Sequence, residues 1–418
     1  MLSLNELPIA TYLVGGWVRD RLINRTSRCI DLDFVLPSKA VETAKAIANK
    51  HNAGFVLLDA ERQIARVVFP DGTADFAQQM GETIAEDLSR RDFTMNAIAV
   101  DCAKISGAKI LGIKTQEISQ KLPELIDPFG GYQDIQAQRV RMISCQNLKD
   151  DPLRIIRAYR QAAQLGFEIE ALTRDCLIEF APDLKNIAAE RIRTELSYLL
   201  ALGEAGTIWI DKAARDGVLN AWIPAKNLML NRFMQVDRAI AQIIDQWQYL
   251  QDRDLQDYFA QILSSDRSVT VIVKLAALSA SATALNNLGF SRIEQRWIVN
   301  LLRNLPQFMI YLDQEIVLLQ DQYQMFTNMG EMFPALTVLA IASGKSLNSI
   351  MPWLNRWLNP HDPLAHIIPL LNGDDLKTEL GLTAGQKIGD LLNELKLAQV
   401  NQIITNRHNA IAFAKTLI

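Results

Sequence analysis

A chain of 418 residues, 49% hydrophobic and 22% charged, exceeds what one hydrophobic core serves and predicts two to four domains of roughly 100 to 200 residues each. Its net charge of -4 and pI of about 5.7 exclude a polybasic protein that meets nucleic acid through bulk charge, so any RNA contact must come from a local patch. No window approaches the roughly 18 to 20 uninterrupted apolar residues of a membrane span, and "MLSLNELPIA" lacks the basic-then-apolar pattern of a secretory leader, which predicts a cytoplasmic protein with no membrane partner.

In chain order, "TYLV", "IDLDFVL", "GFVLL", "IARVVF" and "TADFA" read as strands. Between the second and third, "SKAVETAKAIANKH" reads as a helix with Ser38 placed to cap it and Val41, Ala44, Ile47 and Ala48 at helical spacing. Pro70-Asp71-Gly72 is a turn tripeptide that folds the fourth and fifth strands into an antiparallel hairpin. The first 100 residues are therefore α/β with a small mixed sheet. From about residue 150 onward, long amphipathic patterns such as "PLRIIRAYRQAAQLGF" and "AAERIRTELSYLLALG" predict helices, and a glycine-punctuated stretch near the end predicts a small separate tail. Four cysteines, Cys29, Cys102, Cys145 and Cys176, form no CxxC pair, which argues for plain thiols over a zinc site or a disulfide framework.

Three stretches carry chemistry. In "YLVGGWVRD", a strand runs through Gly15 and Gly16 into a helix, a turn that lets backbone approach a phosphate closely, although the same turn can be purely steric. In "CIDLDFVL", strand periodicity puts Asp31 and Asp33 on one face, where two carboxylates repel unless a cation sits between them. Magnesium suits such hard oxygen donors and keeps coordination positions for phosphate. In "EDLSRRDFTMNAIAV", Arg90, Arg91 and Asp92 combine a phosphate-binding guanidinium with a carboxylate able to accept from a sugar hydroxyl.

The ordered set GGWVRD, DLD and RRDFTMNA resembles the class II branch of the polymerase-β nucleotidyltransferase superfamily, the bacterial-type CCA-adding enzymes and poly(A) polymerases. "DPFGG" (127–131), "DDPLRIIRAYR" (150–160), "LGFEIE" and "AAERIRTEL" extend the resemblance over about the first half of the chain. It implies an α/β polymerase-β-type head over 1–140, then all-α domains: a neck for base and RNA binding over 141–225, a body over 226–365 and a tail over 366–418. It also implies that Asp31 and Asp33 hold catalytic Mg2+, with Asp75 as a lower-ranked third carboxylate. Gly16 and Arg19 then touch the incoming triphosphate, Arg91 and Asp92 contact phosphate and ribose, and Gly15, Asp20 and Asn96 join them in binding the nucleotide. Asp151 and Arg154 would serve as a protein template for the base, with Arg157 and Arg160 following on the helix. The i, i+3 spacing of Asp151, Arg154 and Arg157 predicts one shared helical face. An Asp accepts from the exocyclic amine of cytosine or adenine while an Arg donates to the ring, a pattern uracil and guanine do not match. Asp150 stands where the family usually has Glu, one methylene shorter.

The reaction implied is attack of a tRNA 3′ hydroxyl on the α-phosphate of CTP or ATP, with the bond to the β-phosphate broken and pyrophosphate released. Residues 76 to 89, 14 positions, separate Asp75 from Arg90. Complete CCA-adding members typically carry a longer loop there, so the resemblance favours CC addition, with complete CCA addition, A addition or poly(A) synthesis as alternatives. A catalytically dead RNA-binding module is disfavoured because both Asp31 and Asp33 are present. "VIVKLAALSA" lacks the His-Asp pair of an HD phosphohydrolase, and His361-Asp362 reads as a turn or helix cap. Gly381, Gly385 and Gly389 near helix starts offer N–H groups to tRNA phosphates, and six tryptophans read as core anchors. Whether the chain forms a homo-oligomer is open.

Overall fold

The computed structural model describes residues 2–25, 30–105, 124–247, 255–264, 267–382 and 385–418. They form two compact units, one of residues 1–199 with 212–221 and one of residues 200–211 with 222–418. Cys29 lies outside the described residues.

The first unit opens with β1 (Tyr12–Val14), α1 (Gly16–Leu22), β2 (Ile30–Leu36), α2 (Ala40–His51), β3 (Gly54–Asp59), β4 (Ile64–Phe69), β5 (Gly72–Gln78), α3 (Ile84–Leu88) and β6 (Ala99–Asp101). The strands make one six-stranded mixed sheet in the order β3-β4-β5-β2-β1-β6, with β2 and β5 parallel and the other neighbours antiparallel. Residues opposite one another share a face. The register therefore sorts the sheet into two layers. Leu13, Leu32, Phe34, Ala65, Val67, Ala74 and Phe76 form a buried apolar layer, in which Phe34 and Phe76 stack with centroids 5.2 Å apart. Helix α2 packs on β4 and β5 with Ala44, Ile47 and Ala48 turned inward. The opposite layer carries Asp31, Asp33, Thr73, Asp75 and Arg66.

The expected hairpin at Pro70-Asp71-Gly72 is present, with Phe69 paired to Gly72. The expected Ser38 cap is not: Lys39, at φ 58°, is the N-cap, and no side chain bonds the helix start. Because Lys39 turns the chain in the left-handed region, the helix begins one residue later than a Ser38 cap requires and leaves that hydroxyl outside its first turn.

The unit continues through α4 (Gly131–Gln136), β7 (Arg139–Val140), α5 (Cys145–Asp150), α6 (Leu153–Leu165), β8 (Glu168–Ile169), α7 (Ala171–Phe180) and α8 (Ala189–Leu200). "DPFGG" proves to be a helix start: Asp127 accepts from the Gly131 and Tyr132 N–H groups at 2.7 and 2.8 Å. A Cβ at Gly131 would lie 2.2 Å from the Thr94 carbonyl oxygen, so only glycine lets α4 approach the turn that carries Asn96. The plain-thiol expectation fails for two cysteines. Cys145 and Cys176 form a disulfide across 31 residues, because α5 and α7 lie side by side and bring their Cα atoms to 5.9 Å. Buried Cys102 remains a thiol, pushed up to about 12 by burial and the neighbouring Asp101 charge.

The second unit is built from helices that follow α9 (Gly203–Arg215): α10 (Leu230–Phe233), α11 (Val236–Trp247), α12 (Leu255–Ala260), α13 (Val269–Leu278), α14 (Arg292–Tyr311), α15 (Leu319–Met329), α16 (Phe333–Ala342) and α17 (Leu347–Leu358). A two-stranded pair, β9 (Ile262–Ser264) and β10 (Arg267–Ser268), interrupts the otherwise helical body. Trp209, Trp247, Trp297, Trp353 and Trp357 are buried as expected, while Trp222 is half-buried. Leu319–Ala342, 24 residues, has the length and composition of a membrane crossing, yet 72% of its apolar window is buried within the fold. Asp362 accepts from the N–H groups of Leu364 and Ala365 at 2.9 and 3.0 Å, the turn expected of His361-Asp362.

Ser291 and Glu294 cap α14 reciprocally. Ser291→Ala is expected to lower stability by about 1 kcal/mol in urea unfolding. The final helices α18 (Gly373–Leu380), α19 (Gln386–Val400) and α20 (Arg407–Thr416) enclose their own core around Leu376, Leu391, Leu395 and Ala410. Of the three glycines expected at helix starts there, only Gly385 is at one; Gly381, at φ 65°, ends α18, and Gly389 lies inside α19. The intervening residues 383 and 384 of "GLTAGQKIG" are outside those described.

Candidate active site

A cavity of about 450 Å³ opens in the first unit, walled by the polar layer of the sheet, α1 and α6. Its centre is a row set by strand register. Arg66 on β4 faces Asp75 on β5, which faces Asp33 on β2, which faces Val14 on β1. Asp31 follows two residues from Asp33 and accepts a short hydrogen bond from the Thr73 hydroxyl. The periodicity argument for Asp31 and Asp33 thus holds, and both line the cavity.

Asp33 is pushed up to about 6: burial disfavours its charge, Arg91 opposes that effect, and the Asp31 and Asp75 carboxylates add to it. A carboxylate with that cost is a natural partner for a cation. Asp75 differs, since both its oxygens are held by Arg66 at 2.6 and 2.8 Å. The donor set that fits a hard divalent cation is therefore the Asp31 and Asp33 pair.

Beside the acids, Gly15 adopts φ +78°, and a Cβ there would lie 2.9 Å from Asp33 Oδ2 and 3.4 Å from Arg91 Nη1. Gly15→Ala is expected to lower stability by about 1 to 2 kcal/mol, read by thermal unfolding. Gly16 starts α1 and also lines the cavity.

Arg19 is buried and engaged: its guanidinium donates to Asp20 Oδ1 at 2.8 Å and to Asn96 Oδ1 at 2.7 Å. Asn96 in turn donates to Asp92 Oδ1 at 2.8 Å. Arg157 grips Asp92 Oδ2 through Nε and Nη2 at 3.1 and 2.9 Å. Burial by itself would raise Asp92, but the Arg157 charge and the bonds from Asn96, Arg157 and the Phe93 N–H hold it well below the usual carboxylate range. Arg160 donates to Glu195 at 2.5 Å and Gln164 at 2.9 Å.

Two expected residues sit elsewhere. Asp151 ends α5 instead of riding on the α6 face, because Pro152 is the N-cap of α6, and its carboxylate accepts from Arg191 at 3.1 Å. Arg154 donates to the Arg91 carbonyl at 3.1 Å and holds that turn together with Asn147. Neither Asp151 nor Arg154 is among the cavity walls, and Arg90 is exposed away from them. Asp150 accepts from Gln146 within α5 at 2.7 Å.

The structure adds residues that motif reading missed: Arg21, Arg25, Arg66, Gln161 and Gln164 line the cavity, and Glu195 braces Arg157 and Arg160 from behind. A lone Arg inside the apolar run "IARVVF" was the available signal for Arg66. Arg25 Nη1 and Arg91 Nε are buried without a hydrogen-bond partner among the described residues, which marks them as donors suited to an anion. Among the described residues, seven arginines against five aspartates line the cavity, a locally positive site in a chain of net charge -4.

Family models match in sequence: the poly A polymerase head domain over residues 11–141, an RNA- and SrmB-binding site of polymerase A over 166–228, and a tRNA nucleotidyltransferase domain 2 over 262–414. A CC-adding tRNA nucleotidyltransferase of Synechocystis is 39% identical over 99% of this chain and 95% of its own. One of Geobacter sulfurreducens is 31% identical over 96% and 90%. The Thermotoga maritima CCA-adding enzyme in complex with tRNA shares the fold at TM-score 0.66 and 21% identity, covering 97% of this chain and 90% of that one. With those models covering most of its length and a relative this similar over nearly all of it, the chain belongs to the poly(A) polymerase and tRNA nucleotidyltransferase family.

Proposed function

We propose that this protein adds cytidylate residues, as CC, to the 3′ end of tRNA from CTP. The observation that carries the reading is the cavity itself: two adjacent carboxylates on one strand face, a glycine turn against them, and arginine donors without partners around them. Support for CC over CCA comes from the Synechocystis and Geobacter relatives, both CC-adding enzymes similar over nearly their full lengths, and from the 14 residues between Asp75 and Arg90.

In this reading Asp31 and Asp33 hold a divalent cation, Mg2+ by the hardness of the donors, which would supply charge neutralisation at the reacting phosphate and a more acidic 3′ hydroxyl. Arg25 and Arg91 bind phosphate oxygens through their unpaired N–H groups. Arg66 keeps Asp75 occupied, so that Asp75 orients the row and leaves cation binding to its neighbours. Asp92 accepts from the ribose hydroxyl. Asp151, at the end of α5, and Arg154, in the first turn of α6 against the Arg91 carbonyl, read the cytosine edge once Asp151 exchanges Arg191 for the base amine. The cytoplasm is the compartment in which the reading sets the protein.

The test uses tRNA transcripts ending before the tail, after C and after CC, each with labelled CTP or ATP. Two C additions to the tail-less transcript, one to the C-ended transcript and none to the CC-ended one are expected. A added to the CC-ended transcript overturns the CC restriction, and long A tracts on unrelated RNA favour a poly(A) polymerase.

A further inference from the structure

Gln161 is an amide on α6 that is 2% exposed, among buried Ala158, Tyr159, Ala162 and Ala163. An amide so enclosed must be satisfied, and its partners define what it does. Its Oε1 accepts from Asn96 Nδ2 at 2.9 Å and from Arg19 Nη1 at 3.5 Å. Its Nε2 donates to Asp92 Oδ2 at 3.4 Å. Gln161 thereby closes a ring in which Arg19 donates to Asn96, Asn96 donates to both Asp92 and Gln161, and Gln161 donates to Asp92.

Asp92 receives five hydrogen bonds: from the Phe93 N–H and Asn96 at 2.8 Å each, from Arg157 at 2.9 and 3.1 Å, and from Gln161 at 3.4 Å. A carboxylate offers about four lone-pair sites. The longest of the five is the one a sugar hydroxyl replaces at least cost, and it is the one Gln161 supplies. The exchange swaps one donor for another, while Gln161 stays anchored by its Oε1 to Asn96 and Arg19.

We propose that Gln161 is a positioning residue for sugar recognition: it keeps one Asp92 lone pair facing the cavity and fixes the Asn96 amide, and so sets the preference for ribonucleotides over deoxyribonucleotides. The proposal rests on the reading in which Asp92 accepts from the ribose. Without Gln161 the two-donor grip of Arg157 has no opposing partner on Oδ2, and Asn96 loses one of the two acceptors of its amide and keeps only Asp92. A 2′-deoxy sugar never uses that acceptor, so the loss falls on the ribonucleotide alone.

The experiment compares kcat/KM for CTP and dCTP on tail-less tRNA. Gln161→Met, close in volume, is expected to lower kcat/KM for CTP about tenfold and that for dCTP by less than about twofold, collapsing the ratio by nearly the same factor. Equal losses for both nucleotides, or an unchanged ratio, overturn the proposal. Should Gln161→Met not fold, Gln161→Glu keeps the shape and the acceptor but removes the donor to Asp92. It must lower the same ratio, and a wild-type ratio there overturns the proposal too. Asp92→Asn separates the two levels. If it leaves the ratio at the wild-type value, the sugar reading of Asp92 and the role of Gln161 fall together. If it collapses the ratio while Gln161→Met does not, only the role of Gln161 falls.

Discussion

Asp33→Asn is expected to reduce nucleotide incorporation by a factor of about 1,000 or more and, in chelator, to raise the melting temperature. The two effects share one cause. Asp33 is held at about 6 by burial and by Asp31 and Asp75, so its ionised form costs folding free energy on the order of 3 kcal/mol at neutral pH. A group raised in the folded state favours folding below its unfolded value, near ~4, and that benefit is lost as pH rises toward about 6. The stability gained by Asp33→Asn should therefore be largest above pH 6 and fade as pH falls toward ~4. Thermal unfolding at several pH values, with tRNA binding measured alongside, checks it. A variant that loses activity without gaining stability above pH 6 would show that the acid is not stored in an unfavourable charge state. Full retention of activity would remove Asp33 from the chemistry.

Arg157→Met is expected to be the most destabilising change in the cavity. Asp92 is buried, and Arg157 supplies its only full positive charge in direct contact among the described residues. Removing that charge leaves a carboxylate sealed among neutral groups, at a cost of about 2 to 4 kcal/mol once the partial exposure of Arg157 is allowed for. Asp92 is lowered in the folded protein; the stability it contributes is present above its unfolded value near ~4 and is lost as pH falls through the lower folded one. The gap between wild type and Arg157→Met should accordingly be widest near neutrality and narrow in acid. Urea unfolding of Asp92→Asn, Arg157→Met and the double variant measures the pair directly. Additive losses would show that the two residues do not depend on each other.

The sheet and the acids were legible because strand periodicity is local: "IDLDFVL" declares its two layers without help from any other segment, and the 70–72 turn fixes the pairing of the hairpin that supplies Asp75. The helical face of α6 was legible in part. Arg157 and Arg160 line the cavity, while Arg154 of the predicted i, i+3 row turns to the Arg91 carbonyl and Pro152 resets the helix start and carries Asp151 off that face. Gln161 and Glu195 were invisible as site residues because each acquires its role from a partner 65 and 35 positions away, whereas Arg66 left a trace as the one charge in an apolar strand run. The Cys145–Cys176 bond belongs to the same class: its geometry exists only once α5 and α7 are neighbours.

The two-layer sorting of the sheet also bears on how the domain avoids misassembly. If β2 slid by a single residue against β5, Asp31 and Asp33 would swing into the greasy stratum now filled by Leu32 and Phe34, and the phenyl rings would be stranded among arginines. The reactive acids thus act as alignment pins during folding: any slip by an odd number of residues drives them into the apolar layer and away from the cavity in which they can work.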